Sequence, residues 1–359
     1  MNKSYQTYLV KLFYKKVLVV TSIFLCLILI LNLLEEVNFF KDLEVFFLFP
    51  FLMSLLKASS NLFEIFPFIV MISTQFFFLE LISKNELEAL KINGVNNLKL
   101  IKILFFSSFF LGLVMSGVFY NISAKLNFFY LEMKNSYSED NDYLLVVNKN
   151  GIWIKDEIDE KTYIINASEL KGSYLIEVII TEFDKDFKLQ SVIKSLKVDI
   201  SNFDWEILMP IINKDNVTKR PKESVFIRTH FDQKKINSLY ENLSSLTIFE
   251  LINLKKDYVM IGYSTNEIES KIQKIISFPT YLTILVMLIS IIMLNIKRNN
   301  TFIFHVILGI FLSVVIYYFY YLFNLLGENN TIPILTSVWL PLVILLFIVI
   351  IGLIRINEK

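Results

Sequence analysis

Long apolar runs in two groups of three, separated by a stretch of alternating apolar and polar residues, dominate the pattern of this chain. Six runs are long enough to cross a hydrocarbon core of roughly 30 Å: residues 17–34, 62–82, 100–124, 274–295, 301–325 and 332–354. A shorter apolar run, 43–56, predicts an interfacial helix before the second span. The first run ends in Leu33-Leu34-Glu35-Glu36, which is no small-residue cleavage site, so we expect this segment to stay as a span. The pattern predicts an α-helical integral membrane protein with six transmembrane helices, arranged three plus three.

The stretch between the two groups predicts an inserted all-β domain. Short runs with period-two alternation indicate strands at 143–148, 151–155, 162–166, 174–183, 187–200, 205–213 and 224–230. Several short strands at this spacing are typical of a sandwich, a jelly roll or a half-open barrel. The apolar parity slips by one at 190–194, which predicts a β-bulge. One apolar face is predicted to contain Ile176, Val178, Ile180, Trp205, Ile207 and Met209.

These patterns divide the chain into three parts. Residues 1–124 form the first transmembrane half and residues 125–246 a jelly-roll-like β domain. Residues 247–359 form a linker helix and the second transmembrane half. Ser264 with Glu267 predicts a capping box, opening a helix that continues into the fourth span and bends near Pro279.

The polar stretch 83–94, between the second and third spans, predicts a short, separately capped helix. Ser83 with Glu86 matches a capping box, and Gly94 can adopt the left-handed conformation that ends a helix. Asn96 or Asn97 is expected to cap the next helix. Spacing alone favours a plain connector between two spans. The alternative is a coupling helix held by a soluble partner, with Glu86 and Glu88 facing basic groups and Leu87 and Leu90 filling an apolar pocket.

Composition supports a membrane protein, with 55% hydrophobic residues and a mean hydropathy of +0.55. A net charge of +1 argues against a nucleic-acid surface, and the single cysteine, Cys26, permits no intrachain disulfide. Lysines and arginines of the short loops fall on one side under six crossings. The positive-inside bias therefore predicts cytoplasmic termini, a cytoplasmic 83–94 helix and an extracytoplasmic β domain.

Motifs of catalysis are absent from the sequence. It contains no G-x-x-x-x-G-K-[ST], G-x-S-x-G, H-E-x-x-H or C-x-x-C, so neither a P-loop nor these hydrolase, metal or redox sites are predicted. His230 and His305 are expected on opposite sides of the membrane and cannot share a metal. We therefore expect a protein without a cofactor, metal site or enzymatic activity of its own.

Polar residues near span ends carry the remaining signals, because burying them in a bilayer is costly. Asn32, Glu35 and Glu36 close the first span, and Glu64 and Glu80 lie in the second. A position at the lipid headgroups explains them as well as a function does. Tyrosines crowd the fifth span at 317–321, where an aromatic belt and a ligand site are both consistent.

In the order of its motifs, the whole chain resembles the LptF/LptG permeases of the lipopolysaccharide exporter. The resemblance rests on these segments: Leu33-Leu34-Glu35-Glu36, Asn85-Glu86-Leu87-Glu88-Ala89-Leu90 with Gly94-Val95, Gly151-Ile152-Trp153-Ile154-Lys155-Asp156, Leu189-Gln190-Ser191-Val192, Phe278-Pro279, Ile332-Pro333 and Leu340-Pro341. The run starting at Gly151 is more similar to LptG than to LptF. Because the resemblance covers the three-plus-three layout and the β insert, it is specific for this family.

The resemblance implies a permease subunit of an ABC transporter in a Gram-negative inner membrane. An LptF–LptG pair would enclose a cavity that lipopolysaccharide enters sideways, between the first span of one subunit and the fifth of the other. A cytoplasmic LptB-like ATPase dimer would drive it, and LptC-like and LptA-like proteins would receive the lipid from the β domain. The implied ATPase contact is Glu86, Leu87, Glu88, Ala89, Leu90 and Gly94. The implied lipid cavity and gate contain Asn32, Glu35, Glu36, Phe311, Tyr317 and Tyr321, and the apolar β face becomes the lipid groove.

One position departs from the family's pattern. Members often have basic residues near the outer end of the first span, whereas this chain has Asn32 followed by two glutamates. A sugar-rich or less phosphorylated lipid, or a divalent cation bridging Glu35 and Glu36, would suit these residues better than a phosphate. Two rival functions remain open: a permease for another lipid or lipoprotein, and a membrane-anchored periplasmic sensor.

Overall fold

The computed structural model describes residues 4–137, 152–158, 161–214, 217–233, 236, 242–260, 264–295, 302–329 and 331–357. The chain forms two compact units, Met1–Tyr130 with Asn266–Lys359, and Leu131–Thr265. The first unit contains the membrane-spanning helices and the second contains the β sheet. The linker helix expected at the start of the 247–359 part belongs to the second unit.

Among the described residues, six helices are long and apolar enough to span a membrane, which confirms the predicted number. The helices are α1 Ser4–Phe40, α2 Phe49–Ser83, α3 Glu86–Ile92, α4 Asn97–Val114, α5 Tyr120–Asn135, α6 Ile248–Met260, α7 Asn266–Asn295, α8 Phe302–Glu328 and α9 Ile334–Asn357. A single π-helical turn, Met115–Phe119, joins α4 to α5. The spans are therefore α1, α2, the α4–α5 pair, α7, α8 and α9.

The predicted interfacial helix at 43–56 is wrong. Residues 41–48 form a loop, and the rest of that apolar run is the first part of α2, which continues for 35 residues. Pro50 occupies the first turn of α2, where a missing N–H costs nothing and the fixed φ suits a helix. The proline therefore starts a long helix instead of separating two shorter ones.

The core of the first unit lies among α1, α2, α4, α7 and α9. Phe77 and Phe78 of α2 are fully buried there, together with Phe13 of α1. Helix α4 passes so close to α7 that a Cβ on Gly112 would lie 2.5 Å from the Cα of Pro279. A glycine is needed at this crossing because no side chain fits between the two backbones.

The second unit contains a curled antiparallel sheet, a half-barrel, with nine strands among the described residues. They are β1 Ile152–Ile158, β2 Lys161–Ala167, β3 Glu169–Lys171, β4 Tyr174–Phe183, β5 Leu189–Asp199, β6 Asp204–Leu208, β7 Ile211–Lys214, β8 Val217–Lys219 and β9 Val225–Arg228. The strand order is β1-β2-β4-β5-β6-β9, with β3 beside β4, β7 beside β5 and β8 beside β7. The predicted strand at 143–148 lies outside the described residues.

The predicted bulge is present in β5, and β4 has a second irregularity at Glu177. The pairing shifts by one residue from Glu182–Ser191 to Phe183–Leu189, within the predicted parity slip. Further along, Glu177 has a left-handed φ of 51°, and the residues on either side of it change faces. Leu175 is buried before this point and Val178 after it, so Ile176 does not share one uninterrupted face with Val178. A left-handed residue reverses the pleat because its side chain no longer alternates with those of its neighbours.

A left-handed residue also divides the strand predicted at 205–213. Met209 has a φ of 48° and separates β6 from β7, which pair with different parts of the sheet. Before α6, Thr247 and Glu250 form a capping box that sequence analysis missed. The amide of Thr247 donates to Glu250 Oε2 at 2.8 Å, and the amide of Glu250 donates back to Thr247 Oγ1 at 3.5 Å.

Candidate functional site

Helix α3 is the candidate coupling element, and its C-terminal end has the predicted glycine. Gly94 has a φ of +80°. Its amide donates to the carbonyl of Lys91, and the amide of Val95 donates to the carbonyl of Leu90, both at 3.0 Å. This pair of bonds is a Schellman motif, in which a left-handed residue satisfies the last carbonyls of a helix. The next helix, α4, begins at Asn97, because Asn96 Oδ1 accepts a hydrogen bond from the amide of Lys99 at 2.9 Å.

The predicted capping box at the start of α3 is wrong. Ser83 is the last residue of α2, and its hydroxyl donates to the carbonyl of Glu80 at 3.1 Å. The turn into α3 instead depends on Asn85, which has a φ of 59° and makes no side-chain cap. Asparagine tolerates this conformation better than most residues do, so the chain turns between the helices with a backbone kink.

The apolar face of α3 turns toward the chain's own core. Leu87 and Leu90 pack against the core of the first unit, whereas Glu88 and Ile92 are exposed, Ile92 by 87%. The structure therefore differs from the expectation that the two leucines fill a partner's pocket. A helix of two turns gains most of its stability from packing, and these leucines supply that packing. Among the α3 residues, the surface left for a partner contains Glu88, Ala89, Lys91 and Ile92.

Glu86 is not available only to a partner, because its carboxylate links α3 to α1. The hydroxyl of Tyr8 donates to Glu86 Oε2 at 2.5 Å. One turn before α3, Glu80 forms ion pairs with Lys16 of α1 and with Lys84, the latter at 2.6 Å. The hydrogen bond and charge of the Glu80 carboxylate raise the pKa of Lys84. Helix α1 is therefore joined to α3 by the Tyr8–Glu86 hydrogen bond and to the end of α2 by the Lys16–Glu80 ion pair.

Asn32, Glu35 and Glu36 lie at the opposite end of α1, in a polar cluster shared with α2 and α5. Asn32 is buried, and its Oδ1 accepts a hydrogen bond from Asn61 Nδ2 at 3.0 Å. Glu35 forms an ion pair with Lys57 at 2.8 Å. The fully buried Glu36 accepts a hydrogen bond from the hydroxyl of Tyr130 at 2.7 Å.

This arrangement changes the interpretation of the two glutamates. Because Glu35 and Glu36 have separate partners, the structure does not support a cation that bridges them. No group of three His, Cys, Asp or Glu side chains suited to a metal occurs among the described residues. Lys57 supplies a basic group at this end from the second helix instead of the first. Sequence analysis missed it because it lies between the run read as an interfacial helix and the predicted span.

A pocket of about 230 Å³ lies between α2, α7 and α8. The lining residues are Phe63, Glu64, Pro67, Lys271, Lys274, Ile275, Phe278, Tyr281, Tyr317, Tyr320, Tyr321 and Asn324. Tyr281 is buried and stacks on Tyr320, with ring centroids 4.6 Å apart. Lys274 forms an ion pair with Glu328 at 2.8 Å. Glu64 and the tyrosines were singled out in the sequence, but the two lysines were not: Lys271 lies just before the predicted fourth span and Lys274 is its first residue.

The gate residues predicted on the fifth span separate into different environments. Tyr317 and Tyr321, both about half exposed, line this pocket with their rings nearly parallel and 6.4 Å apart. Phe311 is 62% exposed and lies outside the pocket lining. The small residues of α8 face inward: Ser313 is buried, and Gly309 lies against the side chain of Gln75. The surface that α8 offers to a lipid or partner is therefore bulky and apolar.

The residues predicted to form a lipid groove in the sheet also separate. Four of them, Val178, Ile180, Trp205 and Ile207, are at most 1% exposed, and Trp205 Nε1 donates to the carbonyl of Phe231 at 2.6 Å. Val178 and Met209 line a cavity of about 850 Å³, whereas Ile176 is half-buried outside its lining. The cavity is lined by Asn166, Ala167, Ser168, Glu177, Val178, Ile179, Lys194, Ser195, Leu196, Lys197, Leu208, Met209 and Ile211. Both left-handed residues of this region, Glu177 and Met209, therefore lie at the cavity and not in the core.

Comparison with known proteins places the chain in a family. The model of the family described as "Lipopolysaccharide export system permease LptF/LptG" matches residues 7–355. This match includes both groups of spans and the inserted sheet, but it does not separate LptF from LptG. No curated protein gives a significant sequence match. The chain is therefore a member of the LptF/LptG family, the permeases of the lipopolysaccharide export system.

Proposed function

We propose that this chain is one of two permease subunits through which a separate ATPase extracts lipopolysaccharide from the inner membrane and passes it outward along the β domain. The observation that carries the proposal is α3: a separately terminated helix that exposes Glu88 and Ile92 and contacts α1 through the Tyr8–Glu86 hydrogen bond. A plain connector needs neither feature. The alternative of a periplasmic sensor offers no role for such an exposed helix.

Charge supports a cytoplasmic position for α3. The helix ends around it contain Lys11, Lys16, Lys84, Lys99 and Lys102, whereas the short loop after α1 contains one lysine, Lys41, against Asp42 and Glu44. By the positive-inside bias, the lysine-rich end faces the cytoplasm and the β domain faces the periplasm. An ATPase can reach only the cytoplasmic end, so α3 is on the side that the proposal requires.

The proposed ATPase contact is the exposed face of α3, with Glu88 and Ile92 at its centre. A buried aliphatic anchor beside a charged group is a common core of a protein interface. Ile92 suits this role, because its side chain is 87% exposed in this chain alone. Covering this apolar surface with a partner would stabilise the complex. Leu87 and Leu90 then hold α3 on the permease, and Glu86 passes its displacement to α1 through Tyr8.

The proposed route of the lipid begins at the outer end of the bundle, beside a sister permease of the same family. The exposed apolar side of α8, including Phe311, would face the first span of that subunit. The cavity beside Val178 and Met209 would take up acyl chains in the β domain. The four core residues Ile180, Trp205, Ile207 and Leu175 would contact lipid only if the sheet opened. LptC-like and LptA-like proteins would receive the lipid beyond the sheet.

Co-purification tests the coupling. The full chain is purified from a Gram-negative inner membrane in mild detergent, and the ATPase that accompanies it is identified. Ile92→Asn is expected to lose this ATPase, whereas Phe46→Asn, at the other end of the bundle and 74% exposed, should retain it. Both variants expose one less large apolar side chain, so they are matched in solubility. Full retention of the ATPase by Ile92→Asn would refute the proposed contact, and a lipoprotein-specific ATPase would favour a different exporter.

A further inference from the structure

The proposed coupling through α3 does not use the pocket between α2, α7 and α8, and the chemistry of this pocket points to a specific kind of ligand. Two lysines, Lys271 and Lys274, share its walls with Glu64, while Lys274 is already paired with Glu328 at 2.8 Å. Two positive and two negative side chains leave this group neutral overall. A phosphate would need uncompensated positive charge, and here it would also meet the Glu64 carboxylate.

Hydrogen-bond acceptors in the pocket require a ligand with donors. Asn324 is 3% exposed, and its Nδ2 donates to the carbonyl of Tyr320 at 2.7 Å. Its buried Oδ1 accepts no hydrogen bond within the described part of the chain. Buried polar atoms normally have a partner. A carbonyl oxygen and a carboxylate can be satisfied by hydroxyl groups, but not by an ionised phosphate, which has only acceptors.

Aromatic rings supply the rest of the surface. Tyr317 and Tyr321 present two nearly parallel rings at the rim, with an interplanar angle of 9°, and both are about half exposed. Ring faces bury apolar C–H surface, and the tyrosine hydroxyls can donate as well as accept. The volume of about 230 Å³ corresponds to roughly eight water molecules, which is room for one sugar ring. It cannot hold a whole glycolipid.

We infer that this pocket binds one glycosyl unit of a lipid headgroup: the ring lies against Tyr317 and Tyr321, and its hydroxyls bond Glu64, Asn324 and the lysines. The inference rests on the proposed function, since it specifies which part of the transported lipid this subunit recognises. It assigns sugar recognition to α2, α7 and α8, and not to the polar cluster at the outer end of α1, where Glu35 is already paired with Lys57. The acyl chains would remain outside the pocket, in the lipid phase.

Two amphiphiles with one chain and different headgroups test this assignment. The full-length chain, with the subunits that co-purify with it, is placed in phosphatidylcholine nanodiscs. Binding of radiolabelled octyl glucoside and of octyl phosphate is then measured below their micelle concentrations. We expect saturable binding of the glucoside and much weaker binding of the phosphate. Tyr321→Leu should weaken glucoside binding roughly threefold to tenfold, because it removes the ring contact.

Tyr318→Leu is the matched control, because Tyr318 is one of the same tyrosine group, is 58% exposed and lies outside the pocket lining. It should bind the glucoside as the wild type does. Glu64→Gln, which keeps the shape of the side chain, should also weaken glucoside binding. Octyl phosphate binding as tightly as the glucoside, no saturable glucoside binding, or equal losses in the two tyrosine variants would each overturn the inference. The assay needs no ATPase, so its failure is distinct from loss of the ATPase in co-purification.

Discussion

Replacement of Gly94 tests how α3 ends. The substitution affects only the backbone conformation, because a new side chain at this position meets no neighbour. Gly94 has a φ of +80°, and a Cβ added there would meet no heavy atom within 4 Å. A new side chain therefore creates strain without a clash. A residue other than glycine costs roughly 1–2 kcal/mol in the left-handed region, and a β-branched valine is among the least tolerated there.

The strain can be relieved only by opening the C-terminal end of α3. Two backbone bonds close that end, from Gly94 to Lys91 and from Val95 to Leu90. Leu87 and Leu90 hold α3 on the core, but none of the α3 side chains is fully buried, so the two terminal bonds can open while the rest of the helix stays packed. A cost of 1–2 kcal/mol corresponds to a roughly 5- to 30-fold increase in the open population. We therefore expect Gly94→Val to speed hydrogen exchange at the amide of Val95 by about this factor.

Hydrogen exchange with mass spectrometry on the full chain in nanodiscs measures this effect. Gly94→Asn should change exchange much less, since asparagine tolerates a positive φ. Gly117→Ala is the second control: Gly117 has open space for a Cβ and no positive φ, so Val95 should exchange as in the wild type. If Gly94→Val leaves Val95 as protected as Gly94→Asn does, the left-handed end does not maintain α3. Under the proposed function, only Gly94→Val among the three should also weaken ATPase co-purification.

Three further predictions concern the sheet and the fifth span. Ile207→Ala should destabilise the β unit by about 2–5 kcal/mol because Ile207 is fully buried, whereas Met209→Ala, at an 84% exposed side chain, should cost below about 0.5 kcal/mol; equal losses in denaturant unfolding would contradict the assigned core. In a Cys26→Ser background, a cysteine at Val315 (47% exposed) should crosslink to the first span of the sister permease, and one at the buried Ile316 should not; the reverse result would place the seam elsewhere. A hydrogen bond from the backbone amide four residues on holds the pKa of Asp184 below its usual range, so this stabilisation is present above the ordinary value of about 4 and is lost as pH falls through the lower folded pKa. Amide protection in the β4–β5 turn should therefore fall at acid pH in the wild type but stay constant in Asp184→Asn, and a pH-independent wild-type turn would contradict this.

The sequence by itself determined the features that depend on local pattern. Six spans follow from the length and apolarity of continuous runs, and the structure confirms their number. The strand β4 occupies Tyr174–Phe183, as its alternation predicted, and Gly94 ends α3 as its conformational freedom indicated. Each of these signals lies within one element, so no contact with a distant residue was needed to see it.

Tertiary structure decided how these elements face one another. The spacing of Leu87 and Leu90 would be the same whether they met a partner or the chain's own core. Only the packing in the structure shows that they turn inward. The pairing of Glu35 with Lys57 joins two different helices, so the charge at the end of α1 could not be judged from α1 alone.

The pocket and the sheet illustrate the same limit over longer distances. Glu64 and Lys271 are separated by more than half of the chain, yet they line one pocket. In the sheet, Ile207 and Met209 have the same parity, but the left-handed backbone at Met209 leaves one in the core and the other exposed. Periodicity reports which residues share a face only while the backbone stays regular, and it carries no information about the surface that the face meets.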